Sequence, residues 1–201
     1  MQSQLENLQR RSGITKDSCY QAARRLNKHD SLSLFSLTSL AFTLIVISLV
    51  TQLYAENNFI IKNEKVLDIS MTAASIFAMI ISLVVQKSNF SLRADSYQRQ
   101  AREINELRIS FRHLVAQDSE GNSGQDKKSL YEEKTKEYSS ILERHLLHDE
   151  IDYHIANTKG VENKYHIAKL IITEYFGYLS IIFVSLYFLF WICLGVYQAS
   201  T

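Results

Sequence analysis

Three stretches of this chain carry no charged side chain and are long enough to cross a lipid bilayer, which limits its fold more than any motif does. The first runs from Ser31 to Tyr54 (SLSLFSLTSLAFTLIVISLVTQLY); as a helix it reaches roughly 35 Å, enough to cross a hydrocarbon core. The second, Ile69 to Gln86 (ISMTAASIFAMIISLVVQ), is extended by Val66 and Leu67 past Asp68. The third, Tyr175 to Tyr197 (YFGYLSIIFVSLYFLFWICLGVY), carries Tyr175, Tyr178, Trp191 and Tyr197 where interfacial anchors are expected. The mean hydropathy of −0.10 hides this segregation. Proline is absent among the 201 residues and glycine occurs 6 times, so the punctuation of strand-rich folds is missing and long uninterrupted helices are expected.

The 22 Lys and Arg nearly balance the 21 Asp and Glu, leaving +1, so no nucleic-acid binding driven by global charge, and no direct sequence-specific contact, is expected. Cys19 and Cys193 are too few for a disulfide framework or a cysteine-only zinc site. About 30 polar residues precede the first apolar block, unlike a cleaved signal peptide. Arg10, Arg11, Lys16, Arg24, Arg25 and Lys28 precede the first span. Only Lys62 and Lys65 separate spans one and two, and the other 14 basic residues lie between Lys87 and Lys169. The positive-inside rule puts the N-terminus and the middle segment in the cytoplasm. The Tyr54 to Lys65 connection and the C-terminal tail then lie outside.

Between spans two and three, Phe90, Ala94, Tyr97, Ala101, Ile104, Phe111 and Val115 alternate at spacings of four and three, a seam interrupted by Arg108. This predicts a helix continuing from span two into the cytoplasm. Residues 116–127 (AQDSEGNSGQDK) have loop composition. Tyr131, Tyr138, Ile141, Leu142, Leu146 and Leu147 then mark a second amphipathic helix through SLYEEKTKEYSSILERHLLHDE that packs back on the first as a hairpin. From Asn163 a helical pattern runs into span three without a break. At the other end Leu5, Leu8, Tyr20 and Leu26 give the N-terminal helix a weak apolar face that needs a partner. The expected organisation is an N-terminal cytoplasmic helix over 1–30, a two-span hairpin over 31–86, a cytoplasmic helical region over 87–173, and a third span with a short tail over 174–201.

Signals for catalysis are sparse. No P-loop, dinucleotide fingerprint or nucleophile elbow is present, and Gly121-Asn-Ser-Gly124 is a loop composition. His145 and His148, with Asp149, Glu150 and Asp152 nearby, could share a helix face as metal ligands, or form a solvated acidic helix end. Arg108-Ile-Ser-Phe-Arg-His113 has an Arg-x4-His spacing in which the histidine could act as general base on RNA while the arginine stabilises developing phosphate charge. On one continuous helix those two side chains diverge by roughly 140°. Neither cofactor nor metal is expected.

Hydroxyl side chains recur in the first two spans, at Ser33, Ser36, Ser39, Thr43, Ser48 and Thr51, then at Ser70, Thr72, Ser75 and Ser82. They permit close helix packing, or line a water-filled path when copies assemble; Ser36, Ser39, Thr43 and Ser75 are the pore-lining candidates. No Lys, Arg or His lies inside a span, which disfavours a proton pump or coupled transporter.

Ala22-Ala-Arg-Arg-Leu26, then Phe90-Ser-Leu-Arg-Ala-Asp-Ser-Tyr97, Glu103-Ile-Asn-Glu-Leu-Arg108 and Ile141-Leu-Glu-Arg-His-Leu-Leu-His-Asp-Glu-Ile-Asp-Tyr153 occur around a two-span hairpin. In this arrangement the chain resembles the SLATT family of membrane effectors over about residues 15 to 160. The resemblance implies an all-α, non-enzymatic membrane protein of a bacterial anti-phage defence system, with a homo-oligomeric pore that kills or arrests the infected cell. It also implies, as partner, a nucleotide-second-messenger system or a reverse transcriptase with its msDNA. The third span departs from the two-span plan and leans toward the retron-type subgroup. Carried over by position, Arg93, Asp95, Tyr97, Glu106 and Leu107 fall in the juxtamembrane part, and Asp149, Asp152 and Tyr153 at the end of the second cytoplasmic helix, in structural or partner-facing roles. A passive membrane anchor that recruits a cytoplasmic enzyme, and a membrane-tethered ribonuclease, are the competing expectations.

Overall fold

The computed structural model describes residues 2–117, 124–145 and 147–200, with side chains at 4, 6–111, 129–145 and 147–199. Its elements are helices: α1 (Gln2–Leu53), α2 (Asn58–Ser88), α3 (Phe90–Gln117), α4 (Gly124–Arg144), α5 (Glu150–Asn157), α6 (Val161–Leu170) and α7 (Phe176–Ser200). A π-helical turn over Ile171–Tyr175 links the last two. No strand occurs among the described residues, and three helical stretches are long and apolar enough to cross a membrane. The protein is thus all-α with three candidate spans.

The chain divides into two compact units. One comprises Met1–Asn27 and Phe90–Leu170, the other Lys28–Asn89 and Ile171–Thr201. The 52 residues of α1 supply both without a break in the helix, the division falling between Asn27 and Lys28, close to the expected bound at residue 30. With one glycine and no proline before Leu53, nothing in its backbone stops it.

In the first unit, the expected α3 seam is buried at Ala94, Tyr97, Ala101, Ile104 and Phe111. The interruption at Arg108 is corrected: Leu107 continues the buried stripe, because a helix turning every 3.6 residues drifts off a strict 3.5 repeat. Val115 lies outside the described side chains. Ala101, Ile104, Leu107 and Phe111 cluster with Leu8 and Cys19 of α1 and with Tyr138 and Ile141 of α4. Ala22, Ala23 and Leu26 of α1 form a second with Ala94 and Tyr97. The weak apolar face of α1 is thus covered from within the chain, and its alanines allow α3 to come close.

Several predicted boundaries are corrected. The connection after span one is four residues, not twelve, because the Asn57 side chain accepts from the Phe59 N–H (2.9 Å) and starts α2 at Asn58. Asn89 takes the left-handed conformation (φ 47°) that asparagine tolerates, so α2 ends at Ser88 instead of continuing into α3. Of the predicted loop 116–127, both flanks are helical, and 118–123 lie outside the described residues. The second amphipathic helix stops at Arg144, and Leu147, placed on its apolar stripe by the sequence, is 84% exposed. Leu5 and Leu146 lie outside the described side chains. The pattern from Asn163 starts instead at Val161, and the π-helical turn interrupts it before α7.

In the second unit, Ile47, Ile60, Leu67, Ile192 and Val196 form a buried cluster from α1, α2 and α7. Trp191 meets Phe59 edge-on at 5.1 Å and stacks with Phe188 at 5.6 Å. A Cβ on Gly195 would overlap the Phe59 ring, so glycine is what lets that ring lie on α7. The most apolar window of α2 has none of its residues buried.

Candidate functional site

Charged residues that the sequence spreads across three elements converge in the first unit. Arg25, two turns before the first span, is buried among Ala22, Ala23 and Leu26. Its guanidinium donates from Nε to Asp152 Oδ1 (3.1 Å) and from Nη2 to Asp152 Oδ2 (3.0 Å), and it also pairs with Asp149. The Asp152 side chain is fully buried and that of Asp149 is 61% exposed. Such a two-pronged match is the geometry in which arginine holds a carboxylate most firmly. Asp149 stands at the N-cap of α5 and makes no side-chain cap there. Its carboxylate faces Arg25 instead. Glu150 and Asp152 in the first turn of α5 suit the positive end of the helix dipole.

Around this pair the Tyr97 hydroxyl donates to the Leu147 carbonyl (2.7 Å), which fixes the segment between α4 and α5 onto α3. Burial raises the Tyr97 phenol above its ordinary range, with Asp149 and Asp152 adding to the rise and Arg93 opposing it. Cys19 lies in the neighbouring cluster, within reach of the Asp152 charge. Burial, helped by the Asp152 charge, pushes its thiol up to about 12. Asn157 at the end of α5 donates to the Ser18 hydroxyl (3.4 Å), a second tie between α5 and α1.

Of the predicted surface residues, Arg93, Tyr97, Asp149 and Asp152 therefore come together. Tyr97 and Asp152 are buried, in structural positions. Leu107 is also buried. Asp95 pairs with Arg99 one turn away (3.1 Å) on the exposed face of α3. Glu106 joins Glu103, Lys134, Glu137 and Arg144 around a 410 Å³ cavity between α3 and α4. Tyr153 is exposed, its ring edge-on to His154 at 5.6 Å. His154 in turn stacks on His166 of α6 at 4.7 Å.

The predicted metal candidates are dispersed by these contacts. His145 faces Glu103 (3.2 Å), His148 lies beside the Asp149 carbonyl, and both aspartates face Arg25. For the Arg-x4-His pair, the Arg108 guanidinium lies over Gly13, where an added Cβ would come within 3.1 Å of it. The His113 side chain lies outside the described residues.

The membrane hydroxyls behave differently from one another. Ser36 is buried and donates to the Leu32 carbonyl (2.7 Å), with the Tyr178 carbonyl of α7 at 3.3 Å. Thr43 is buried and donates to the Ser39 carbonyl (2.8 Å); Ser39 itself is half-buried. Ser75 is exposed and donates to the Thr72 carbonyl (2.8 Å). Thr43 alone among these four lines a 780 Å³ cavity between α1, α2 and α7.

Sequence reasoning missed two features. Arg25 reads as one more basic residue ahead of a span, and only its setting among small apolar residues hints at burial. His29 was passed over in the same way; it faces Glu174 of the π-helical turn (2.7 Å) and meets the Tyr175 and Tyr178 rings edge-on. The π-helical turn that carries Glu174 is a type of irregularity often found at functional positions.

The model of the SMODS and SLOG-associating 2TM effector domain family 5 matches residues 1–200. No curated protein matches the chain, and no solved structure does. The match does not assign a reverse-transcriptase subgroup. Its description counts two spans, whereas three helices here are long and apolar enough to cross a bilayer. Since that match takes in both units and all seven helices, the chain belongs to the SMODS and SLOG-associating 2TM effector domain family.

Proposed function

We propose that this protein is the membrane-permeabilising arm of a bacterial anti-phage defence system, acting without catalysis of its own. Copies assemble in the inner membrane into a pore, and its opening arrests or kills the infected cell. The observation that carries this reading is the surface of α2: a window apolar enough to span the bilayer has none of its residues buried within the protomer. A span that finds so little cover in its own chain is suited to packing against further copies, and the serine and threonine content of spans one and two suits close contact or a wet lining. Of the four candidates, Thr43, Ser39 and Ser75 are the residues proposed for that lining, while Ser36, held by the Leu32 and Tyr178 carbonyls, serves helix packing.

In this proposal the N-terminus and residues 87–173 are cytoplasmic, as the distribution of basic residues favours, and the C-terminus is outside. A partner complex, either a nucleotide-second-messenger synthase or a reverse transcriptase with its DNA product, restrains the cytoplasmic unit or signals to it. The partner must bind the resting and open assemblies with different affinity, since otherwise it could not shift their balance. The test is membrane potential and dye entry in bacteria expressing the chain alone, and again together with the genes that flank it. Rapid depolarisation that the neighbours suppress is the expected result. An unchanged potential with the protein in the membrane, persisting when the partners are activated, would replace the pore by a passive anchor.

A further inference from the structure

The cavity between α1, α2 and α7 holds an unusual hydroxyl. Intramembrane Ser and Thr side chains usually turn back onto a carbonyl of the preceding turn, and Thr43 and Ser180, both on the cavity wall, do so at 2.8 and 2.7 Å. Ser185 of α7 lines the same cavity, is 3% exposed, and its Oγ has no hydrogen-bond partner in the protein. Ser70 of α2 adds a fourth hydroxyl to the wall. The rest of the lining is mostly apolar, with Phe77 and Ile181 among it. At 780 Å³ the space far exceeds the ~30 Å³ share of one water molecule.

We propose that this cavity holds water continuous with one aqueous side of the membrane, hydrogen-bonded by Ser185 and Thr43, so that the third span belongs to the permeation path. The proposal rests on the pore reading above and extends it to a helix that the two-span description of the family leaves out. An acyl chain in the cavity would offer Ser185 nothing to bond, whereas a water both donates and accepts. Thr43 and Ser180 each keep acceptor capacity after donating to their carbonyls, so the wall offers further sites to water in the cavity besides Ser185. Buried waters are found at polar groups that have no partner in the protein, as Ser185 Oγ has none. The apolar remainder of the lining makes the cavity prone to dewetting, a means of gating without a moving charge.

The test uses the full chain in cells, with Cys19→Ser and Cys193→Ser as background, and a cysteine introduced by Ser185→Cys or by Tyr187→Cys on the exposed side of α7. A charged methanethiosulfonate and a neutral, lipid-soluble maleimide are applied in parallel while the membrane potential is recorded. The expected result is reaction of the Ser185→Cys chain with the charged reagent at least tenfold faster than the Tyr187→Cys chain, with a matching fall in conductance. Labelling of both positions by the neutral reagent alone would overturn the proposal and leave the cavity to lipid. Depolarisation without charged labelling at Ser185→Cys would do the same while keeping the pore. Charged labelling without depolarisation would sustain the wet cavity and remove the pore.

Discussion

Arg25 and Asp152 stand 127 positions apart and meet through two hydrogen bonds of 3.1 and 3.0 Å, with Asp152 fully buried. The pair fastens the eight residues of α5 to α1. Burial makes it a specific link more than a strong one, since desolvating both charges offsets most of their attraction. Removing one partner is another matter, because the other charge is left behind in the core.

Asp152→Leu or Arg25→Met alone is therefore expected to destabilise the first unit by about 3–5 kcal/mol, while the two combined restore most of that loss. Thermal unfolding of the four chains of this cycle in detergent checks it. A loss in the double variant equal to the sum of the two single losses would show that the pair is not coupled.

Cys19 carries a prediction with a pH sign. Its thiol has an ordinary value of 9.0 and is pushed up to about 12 in the fold. The folded state thus prefers the neutral thiol. Its contribution to stability is complete below pH 9, and is lost as pH rises through about 12. Cys19→Ala should flatten the alkaline end of the stability profile. At pH 8, in a Cys193→Ser background, Cys19 should react with iodoacetamide at least about 100-fold more slowly than in the unfolded chain, since the thiolate is the nucleophile.

Gly195 gives a packing prediction for the second unit. Gly195→Leu drives a side chain into the Phe59 ring and should cost about 1–3 kcal/mol, the usual penalty of overpacking. Phe59→Ala in the same chain should recover part of that loss. Retained melting temperature in Gly195→Leu alone would mean that α2 and α7 do not meet there.

Two of the buried hydroxyls of span one, Ser36 and Thr43, should separate by role. Ser36 is occupied by the Leu32 and Tyr178 carbonyls, whereas Thr43 also lines the cavity. Ser36→Ala should cost about 1 kcal/mol of stability and leave ion flux within twofold. Thr43→Leu should cut flux at least fivefold at equal protein level, a difference of about 1 kcal/mol in the permeation barrier. Flux assays on matched membrane amounts distinguish the two.

Much of this architecture was legible because bilayers and helices impose plain periods. Three charge-free blocks marked the spans, and the spacing of Ala94, Tyr97, Ala101, Ile104 and Phe111 marked the buried face of α3. What escaped was set by contacts distant in sequence. Leu147 extends an apolar stripe on paper, yet the chain leaves the helix at Arg144, Tyr97 holds the Leu147 carbonyl, and Asp149 turns to Arg25. Arg25 itself resembled its basic neighbours, because its burial depends on an acidic helix more than 120 positions later. The π-helical turn at Ile171–Tyr175 has no signature in hydrophobic spacing, and neither does the pairing of its Glu174 with His29.

The most direct test of the central claim is ion and dye release from liposomes containing the purified chain at defined copy number. Release that rises more steeply than linearly with protein density, and that Thr43→Leu suppresses, is what the permeabilising account predicts. Liposomes that stay sealed at every density, with the protein shown to span them and its activated partner complex added, would contradict it.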